Sequence, residues 1–350
     1  MKLFSTEQVS KYHPDKYADQ ISDAILDACL AEDKNSRVAC ETMVKGSTII
    51  LAGEITTTAK VNYSKVAHRV AQKLGYKADN ILTYIDTQSP EIAGGVKSGE
   101  ELGAGDQGMM YGFACNETES MLPFGFDLAN KIIAAIENDV GSNPLTIFNG
   151  DAKCQVTVDR AYSDLDMQSV QKILVSACHK EQYSIERVKT EISSLLKNLG
   201  VPETVETIIN PAGAWTIGGP AADCGLTGRK IVCDQYGGYT PVGGGAFSGK
   251  DPSKVDRTGA YMARQIACDL VKKYNLPWCA VQLAYAIGQK EPMSVIAETS
   301  PYITKNSNLT AEVLKTYDLT PHGMIKHLDL LNTKYEKLAE GCHFRQKMRL

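Results

Sequence analysis

Apolar and polar positions alternate with two different periods along this chain. Over 14–33, Ile21, Ala24, Ile25 and Ala28 fall on one helical face and Pro14 opens the first turn, so the spacing predicts a helix. Residues 37–55 alternate as two strands, predicting a hairpin that turns near Lys45, Gly46 and Ser47. Helical spacing returns over 61–75, 164–180, 184–200 and 256–275, and strand patterns over 109–114, 152–162 and 279–288, with "IVCD" (231–234) as a short strand. The stretch 89–108 is rich in glycine and charge and reads as a long loop, a lid candidate. Residues 89–105 carry five glycines (Gly94, Gly95, Gly99, Gly103 and Gly105), so fast amide exchange that slows on ligand binding is expected there. Strands and helices follow no βαβ rhythm, which favours α+β layers over a doubly wound sheet.

Composition narrows the class. The 350 residues are 43% hydrophobic and 22% charged, as in a globular protein of two or three domains. A net charge of -4 argues against a dedicated nucleic-acid binder. No apolar run has the length of a membrane helix, the first residues do not read as a signal peptide, and no C-x-x-C pair occurs among ten cysteines. Reduced, mostly buried thiols in the cytoplasm are expected.

Two glycine-rich stretches carry the candidate chemistry. "GGGAFSGKDPSKVD" (243–256) satisfies G-x-x-x-x-G-K from Gly244 to Lys250, but Asp251 stands where a phosphate loop has Ser or Thr. The segment before it is turn-rich, so the loop-after-strand context is missing too. "GGPAADCGLTGRK" (218–230) ends in Arg229 and Lys230. Together they place Arg229, Lys230, Lys250 and Lys254 in flexible loops, a way to hold a polyphosphate, with Asp223 and Asp256 able to recruit magnesium or offset charge. Solvated surface loops would read the same way. "GAGDQG" (103–108) matches a dinucleotide fingerprint only in letters, because a glycine-rich loop precedes it and a strand follows. "HPDK" sets His13, Asp15 and Lys16 at a helix start, where anions are favoured. Asp15, Asp19, Asp23 and Asp27 recur every four residues; the later three read as a solvated or lysine-paired face. Glu41 and Glu54 approach each other if the hairpin pairs about its turn, either on a wet face or as cation ligands.

These blocks, with "DQISDAILDA", "VACET", "LAGEITT", "QSPEI", "INPAG", "YGG" and "AYAIG" in the same order, resemble the methionine adenosyltransferase (S-adenosylmethionine synthetase) family across nearly the whole chain. The resemblance implies three similar α+β domains about a pseudo-threefold, spanning 1–89, 107–216 and 217–350, with a lid over 90–106 that ends at Asp106. It implies transfer of the adenosyl group of ATP to methionine and hydrolysis of the released tripolyphosphate. It assigns His13, Lys250 and Arg229 to catalysis. ATP contacts fall to His13, Asp151, Lys153, Ala214, Trp215, Asp223, Arg229, Lys230, Ala246 and Lys250. Methionine contacts fall to Glu54, Gln88, Asp223, Lys254 and Ile287. Asp15 and Asp256 would hold Mg²⁺ and Glu41 K⁺, in a homodimer or dimer of dimers with sites between subunits.

The chain departs from the family pattern at several points. Tyr12 replaces the glycine before "HPDK" and Lys11 a glutamate. Ala214-Trp215 replaces an Arg-Phe that meets the adenine, the lid is shorter, and Cys342 precedes the C-terminal His-Phe. An adenylating ligase and a catalytically impaired regulatory subunit are the rival readings. Retention of His13, Asp15, Lys250 and Lys254 speaks against the second.

Overall fold

The computed structural model describes residues 2–87, 102–161, 165–300 and 308–345. Its principal elements are β1 (Leu3–Val9), α1 (Pro14–Glu32), β2 (Arg37–Lys45), β3 (Thr48–Thr56), α2 (Tyr63–Lys73), β4 (Asn80–Asp86), β5 (Gly108–Cys115), α3 (Phe124–Ser142), β6 (Phe148–Asp159), β7 (Val170–His179), α4 (Ile185–Asn198), β8 (Glu206–Ile209), α5 (Gly219–Ala222), β9 (Gly225–Leu226), α6 (Ile231–Asp234), α7 (Val255–Tyr274), β10 (Trp278–Tyr285), β11 (Ser294–Glu298), α8 (Leu309–Thr316), α9 (Pro321–His327) and α10 (Tyr335–Leu338). The fold is α+β, as expected.

The strands form three sheets with orders β1-β6-β7-β8, β4-β3-β2-β9 and β11-β10-β5. Each sheet borrows a strand from elsewhere in the chain. β1 lies along β6 from Leu3↔Asp159 to Val9↔Lys153. β9 pairs with β2 at Met43↔Leu226, and β5 runs along β10 from Gly108↔Tyr285 to Cys115↔Trp278. One apolar core lies under the first sheet, packed by α3 and α4. A larger one joins the other two sheets through α1 and α7. Gly112 lets β5 press against α7, since a Cβ there would meet the backbone of Ala263 at 2.0 Å.

α1 runs through the middle of the molecule and is buried on most of its circumference. Of the predicted face, Ile21, Ala24 and Ile25 are buried while Ala28 is only half-buried; Leu26, outside that face, is buried as well. The aspartate face does not behave as a solvated one: Asp19 and Asp23 are fully buried. Lys16 bonds Asp19 at 3.0 Å and Asp234 at 2.5 Å, and Arg257 grips Asp23 through both nitrogens. The lysine pairing expected of this face therefore holds for Asp19, whereas Asp23 is paired with an arginine.

Two element predictions are corrected. Residues 170–179 form strand β7, preceded by a short 3₁₀ turn at Met167–Ser169, and not a helix. β7 lies between β6 and β8, with Ile173, Val175 and Ala177 buried on one face while Lys172, Leu174 and Ser176 on the other are partly exposed. "IVCD" is a single helical turn, α6, not a strand. The hairpin is as predicted, with Lys45↔Thr48 closing its turn.

Candidate functional site

The start of α1 organises the first part of the site. His13 is its N-cap, and its Nδ1 accepts the Asp15 backbone N–H at 3.1 Å. Burial, reinforced by Lys230 and Lys153, pushes His13 down to about 3. The ring is therefore neutral, and with Nδ1 accepting, Nε2 carries the hydrogen. Asp15 accepts from Leu226 N–H at 2.9 Å and Lys230 at 2.6 Å, and Arg229 lies 3.6 Å away. Burial raises its pKa, but the bonds from Lys230 and the Leu226 N–H outweigh burial and hold it below the usual carboxylate range. Across the cleft, Ser10 ties the same segment to Ala152. That brings Asp151 and Lys153 alongside. Asp151 accepts from Gly219 N–H at 2.7 Å, while its buried Oδ1 has no hydrogen-bond partner. Burial pushes Asp151 up to about 6.

Asp223, whose Oδ1 accepts from Cys224 N–H, closes this group. Ala214 is exposed and Trp215 half-buried, and no strand begins there. The indole Nε1 donates to the Ile217 carbonyl at 2.7 Å, and the Trp215 backbone is held by His179 at the end of β7.

The second part is built on β2. Gly249 and Asp251 bond the backbone of Cys40 and Val38, so Lys250 bridges to Ala39 like a short extra strand. The register Ala39↔Glu54 and Glu41↔Ala52 puts Lys250, Glu41 and Glu54 on one sheet face. Glu41 is pushed up to about 6 by lost hydration, against the pull of Lys250 and with help from Asp19 and Glu54. Lys250 reaches Asp256 in the first turn of α7 at 2.5 Å. Gly245 crosses directly over Asp256, and Ala246 meets Gly228.

Asp251 explains why this loop departs from a phosphate loop. It accepts from the N–H of Val38 and Ser253 and from Lys254 at 2.5 Å, so it clamps the loop to β2. Residues 102–106 run beside this group. Ala104 exchanges two backbone bonds with Gly288 and Gln289, and Gly105 lies against Ser253 and Lys254. Ile287, next to that contact, is exposed. Gln88 and the lid up to residue 101 lie outside the described residues.

The structure thus gathers the predicted residues into two groups. His13, Asp15, Asp151, Lys153, Asp223, Arg229 and Lys230 form one. Glu41, Glu54, Lys250, Lys254 and Asp256 form the other. No hydrogen bond or ion pair among the described residues joins them. Sequence reasoning missed Asp19, Asp23, Asp251 and Arg257, which hold the loops; the four-residue aspartate spacing was the available signal. Among the described residues no three His, Cys, Asp or Glu side chains gather closely enough to hold a metal unaided. A hard divalent cation held by one carboxylate together with phosphate oxygens and water is what Asp15 and Asp256 fit.

Comparison with known proteins places the chain. The S-adenosylmethionine synthetase N-terminal, central and C-terminal domains match residues 1–97, 101–215 and 217–350. The chain belongs to the S-adenosylmethionine synthetase family. It is 40% identical over 99% of its length to the S-adenosylmethionine synthase of Brachyspira hyodysenteriae, covering 93% of that protein. It is 44% identical over 98% of its length to the S-adenosylmethionine synthase of Mycoplasmopsis synoviae, covering 92% of it. For the S-adenosylmethionine synthase of Nitratiruptor the identity is 41%, over 99% of the chain and 93% of the relative.

Proposed function

We propose that the chain is a methionine adenosyltransferase that forms S-adenosylmethionine from ATP and L-methionine and then hydrolyses tripolyphosphate to phosphate and pyrophosphate. Besides family membership, one observation carries the reading: neutral His13 sits near Lys230 and Lys153 at the start of α1, beside Asp15, which pairs with Arg229 and Lys230. The methionine sulfur attacks C5′ of the ribose, the C5′–O bond breaks, and the triphosphate leaves with its electron pair. A thioether has no proton to lose, so no general base is needed. The demand is for charge stabilisation on the leaving group. His13 Nε2–H donates toward the departing oxygen, and Arg229, Lys230 and Lys250 hold the phosphates. When bound, Mg²⁺ at Asp15 and Asp256 would neutralise phosphate charge. Glu41 would supply a carboxylate oxygen to K⁺ when that ion is bound. Glu54, Gln88, Asp223, Lys254 and Ile287 shape the methionine side, and Asp151, Ala214, Trp215 and Ala246 the nucleotide side.

The active unit is a homodimer, alone or paired again, with each site completed across the interface. Two features support this. No direct hydrogen bond or ion pair among the described residues ties one group's side chains to the other's, although α1 anchors both loops. The sheet face bearing Lys250 and Glu41 also carries Leu226, Met43, Ile50 and Leu82 as one row across four strands, with Tyr84 beside it. Cytoplasmic residence agrees with ten unpaired cysteines, of which only Cys224 is not buried, and with the lack of any membrane-length apolar helix among the described residues.

Incubation with ATP, methionine and Mg²⁺ followed by mass spectrometry tests the reaction. S-adenosylmethionine with phosphate and pyrophosphate is expected. AMP would indicate the ligase reading, and no turnover the impaired relative.

Trp215 provides a sharper check of the nucleotide side. Its partly exposed indole offers a face for the adenine, and base–aromatic stacking is worth roughly 1–3 kcal/mol. Trp215→Phe should remain active. Trp215→Ala should raise KM for ATP about tenfold, which corresponds to about 1.4 kcal/mol, with KM for methionine nearly unchanged. Intact ATP affinity in Trp215→Ala would remove the stacking role.

A further inference from the structure

The four aspartates of α1 receive backbone N–H groups from three segments, 226–228, Gly249 and 335–336. Asp15 takes Leu226 N–H at 2.9 Å. Asp19 takes Gly228 N–H at 2.8 Å on Oδ1 and Lys16 on Oδ2. Asp23 takes Gly249 N–H at 2.8 Å and the Arg257 guanidinium, which also donates to the Lys250 carbonyl at 3.0 Å. Asp27 takes the N–H groups of Tyr335 and Glu336 at 2.9 and 3.0 Å, capping α10. The glycines on the middle rungs are special. Gly228 and Gly249 have φ of +78° and +82°, a conformation costly for other residues. Each sits directly before the cations that the site uses, Arg229-Lys230 and Lys250.

We infer that Asp19 and Asp23 are positioning residues, which fix the two cation-bearing loops to one rigid helix through the amides of Gly228 and Gly249. The inference rests on the proposed reaction only for its kinetic consequence; the loop anchoring stands without it. The physics is direct. Loops with this much glycine have many conformations, and a catalytic cation must be held in place before charge develops. A carboxylate accepting an N–H is a strong bond, and in a buried setting neither partner can turn to water instead. The rungs at i, i+4 and i+8 lie along one side of α1, so the spacing of the two loops is copied from the helix repeat. Asp27 is an internal control, because its rung holds no cation-bearing loop.

The test uses the full chain. Without substrates, hydrogen exchange of peptides covering 226–230 and 247–251 should be slow, although both are glycine-rich loops. Rapid exchange overturns the anchoring, whatever the enzyme turns over. With ATP, methionine, Mg²⁺ and K⁺, Asp19→Ala should lower kcat at least tenfold with KM for methionine within twofold. Asp19→Asn keeps an acceptor oxygen for Gly228 and should recover kcat to within threefold of the parent. Asp27→Ala should lower Tm but keep kcat within twofold. Adding Asp19→Ala to Lys230→Ala should cost less than a further threefold, because Asp19 acts through that loop. If Asp19→Ala lowers only Tm, or its effect multiplies in full with that of Lys230→Ala, the aspartate is merely structural. Should Asp19→Ala fail to fold, the exchange measurement and Asp19→Asn still decide: fast exchange, or Asp19→Asn folding well but losing kcat tenfold, rejects the role. If the parent makes no S-adenosylmethionine, the exchange result alone decides the anchoring and the proposed reaction is what fails.

Discussion

Replacing Lys250 with alanine is expected to lower kcat by roughly 10²–10³-fold, the effect of removing one preorganised donor, about 2.7–4 kcal/mol. KM for ATP should change far less. The reason lies in when the charge appears. Bound ATP already carries its charges and meets several cations, so one lysine adds little to ground-state binding. As the C5′–O bond breaks, a further negative charge localises on the leaving oxygen, and a donor fixed beforehand is worth most then. Lys250 is so fixed: its backbone is bridged to Ala39, its carbonyl is held by Arg257, and its ammonium is parked on Asp256. His13→Ala should behave similarly. The imidazole is neutral across physiological pH, so its hydrogen stays on Nε2 and no activity limb near pH 6.5 should come from it. Rapid-quench kinetics under saturating substrate separate the cases. An unchanged kcat with only a raised KM for ATP would refute the role given to either residue.

Leu82→Asp should convert the protein to monomers and abolish activity. Leu82 lies in the row Leu226–Met43–Ile50–Leu82, which crosses the sheet that α1 covers on its other face only. Leu82 is 44% exposed and Tyr84 beside it 65%. An exposed apolar row on a four-stranded sheet favours burial against a like surface, and a second copy supplies one by two-fold symmetry. A charge placed in that row would be desolvated twice in a symmetric contact. Light scattering coupled to the assay decides it. A folded Leu82→Asp monomer with full activity would sink both the dimer and the shared site.

Much of this architecture was legible in the chain. Pro14 and the Ile21–Ile25 face marked α1, and Lys45-Gly46-Ser47 marked the hairpin, because local turn chemistry and packing period agree there. β7 was misread for a physical reason: Val170, Ile173, Leu174 and Ala177 satisfy helical spacing, because apolar Val170 and Leu174 also occupy its less buried face. The aspartates were misread because the exposure of a carboxylate depends on long-range partners. Asp23 is buried only because Arg257, more than two hundred residues away, meets it. The glycine-lysine blocks identified the cationic site, since their composition directly reflects close backbone approach and charge. How the loops are held was only half legible: the four-residue aspartate spacing showed the acceptors, but the amides they accept from, at Gly228 and Gly249, carry no residue identity.

The borrowed strands bear on inheritance. A crossover between two relatives near residue 216 would pair β9 with another parent's β2, and β10 with another parent's β5. Backbone ladders tolerate such exchange, since they depend little on side chains. The ion pairs Lys16–Asp234 and Asp23–Arg257 are less tolerant, because each draws its halves from both parents, and a parent lacking one partner would leave an unmatched charge in a dry interior. A crossover there therefore preserves the fold only where both parents carry the matching partner residues.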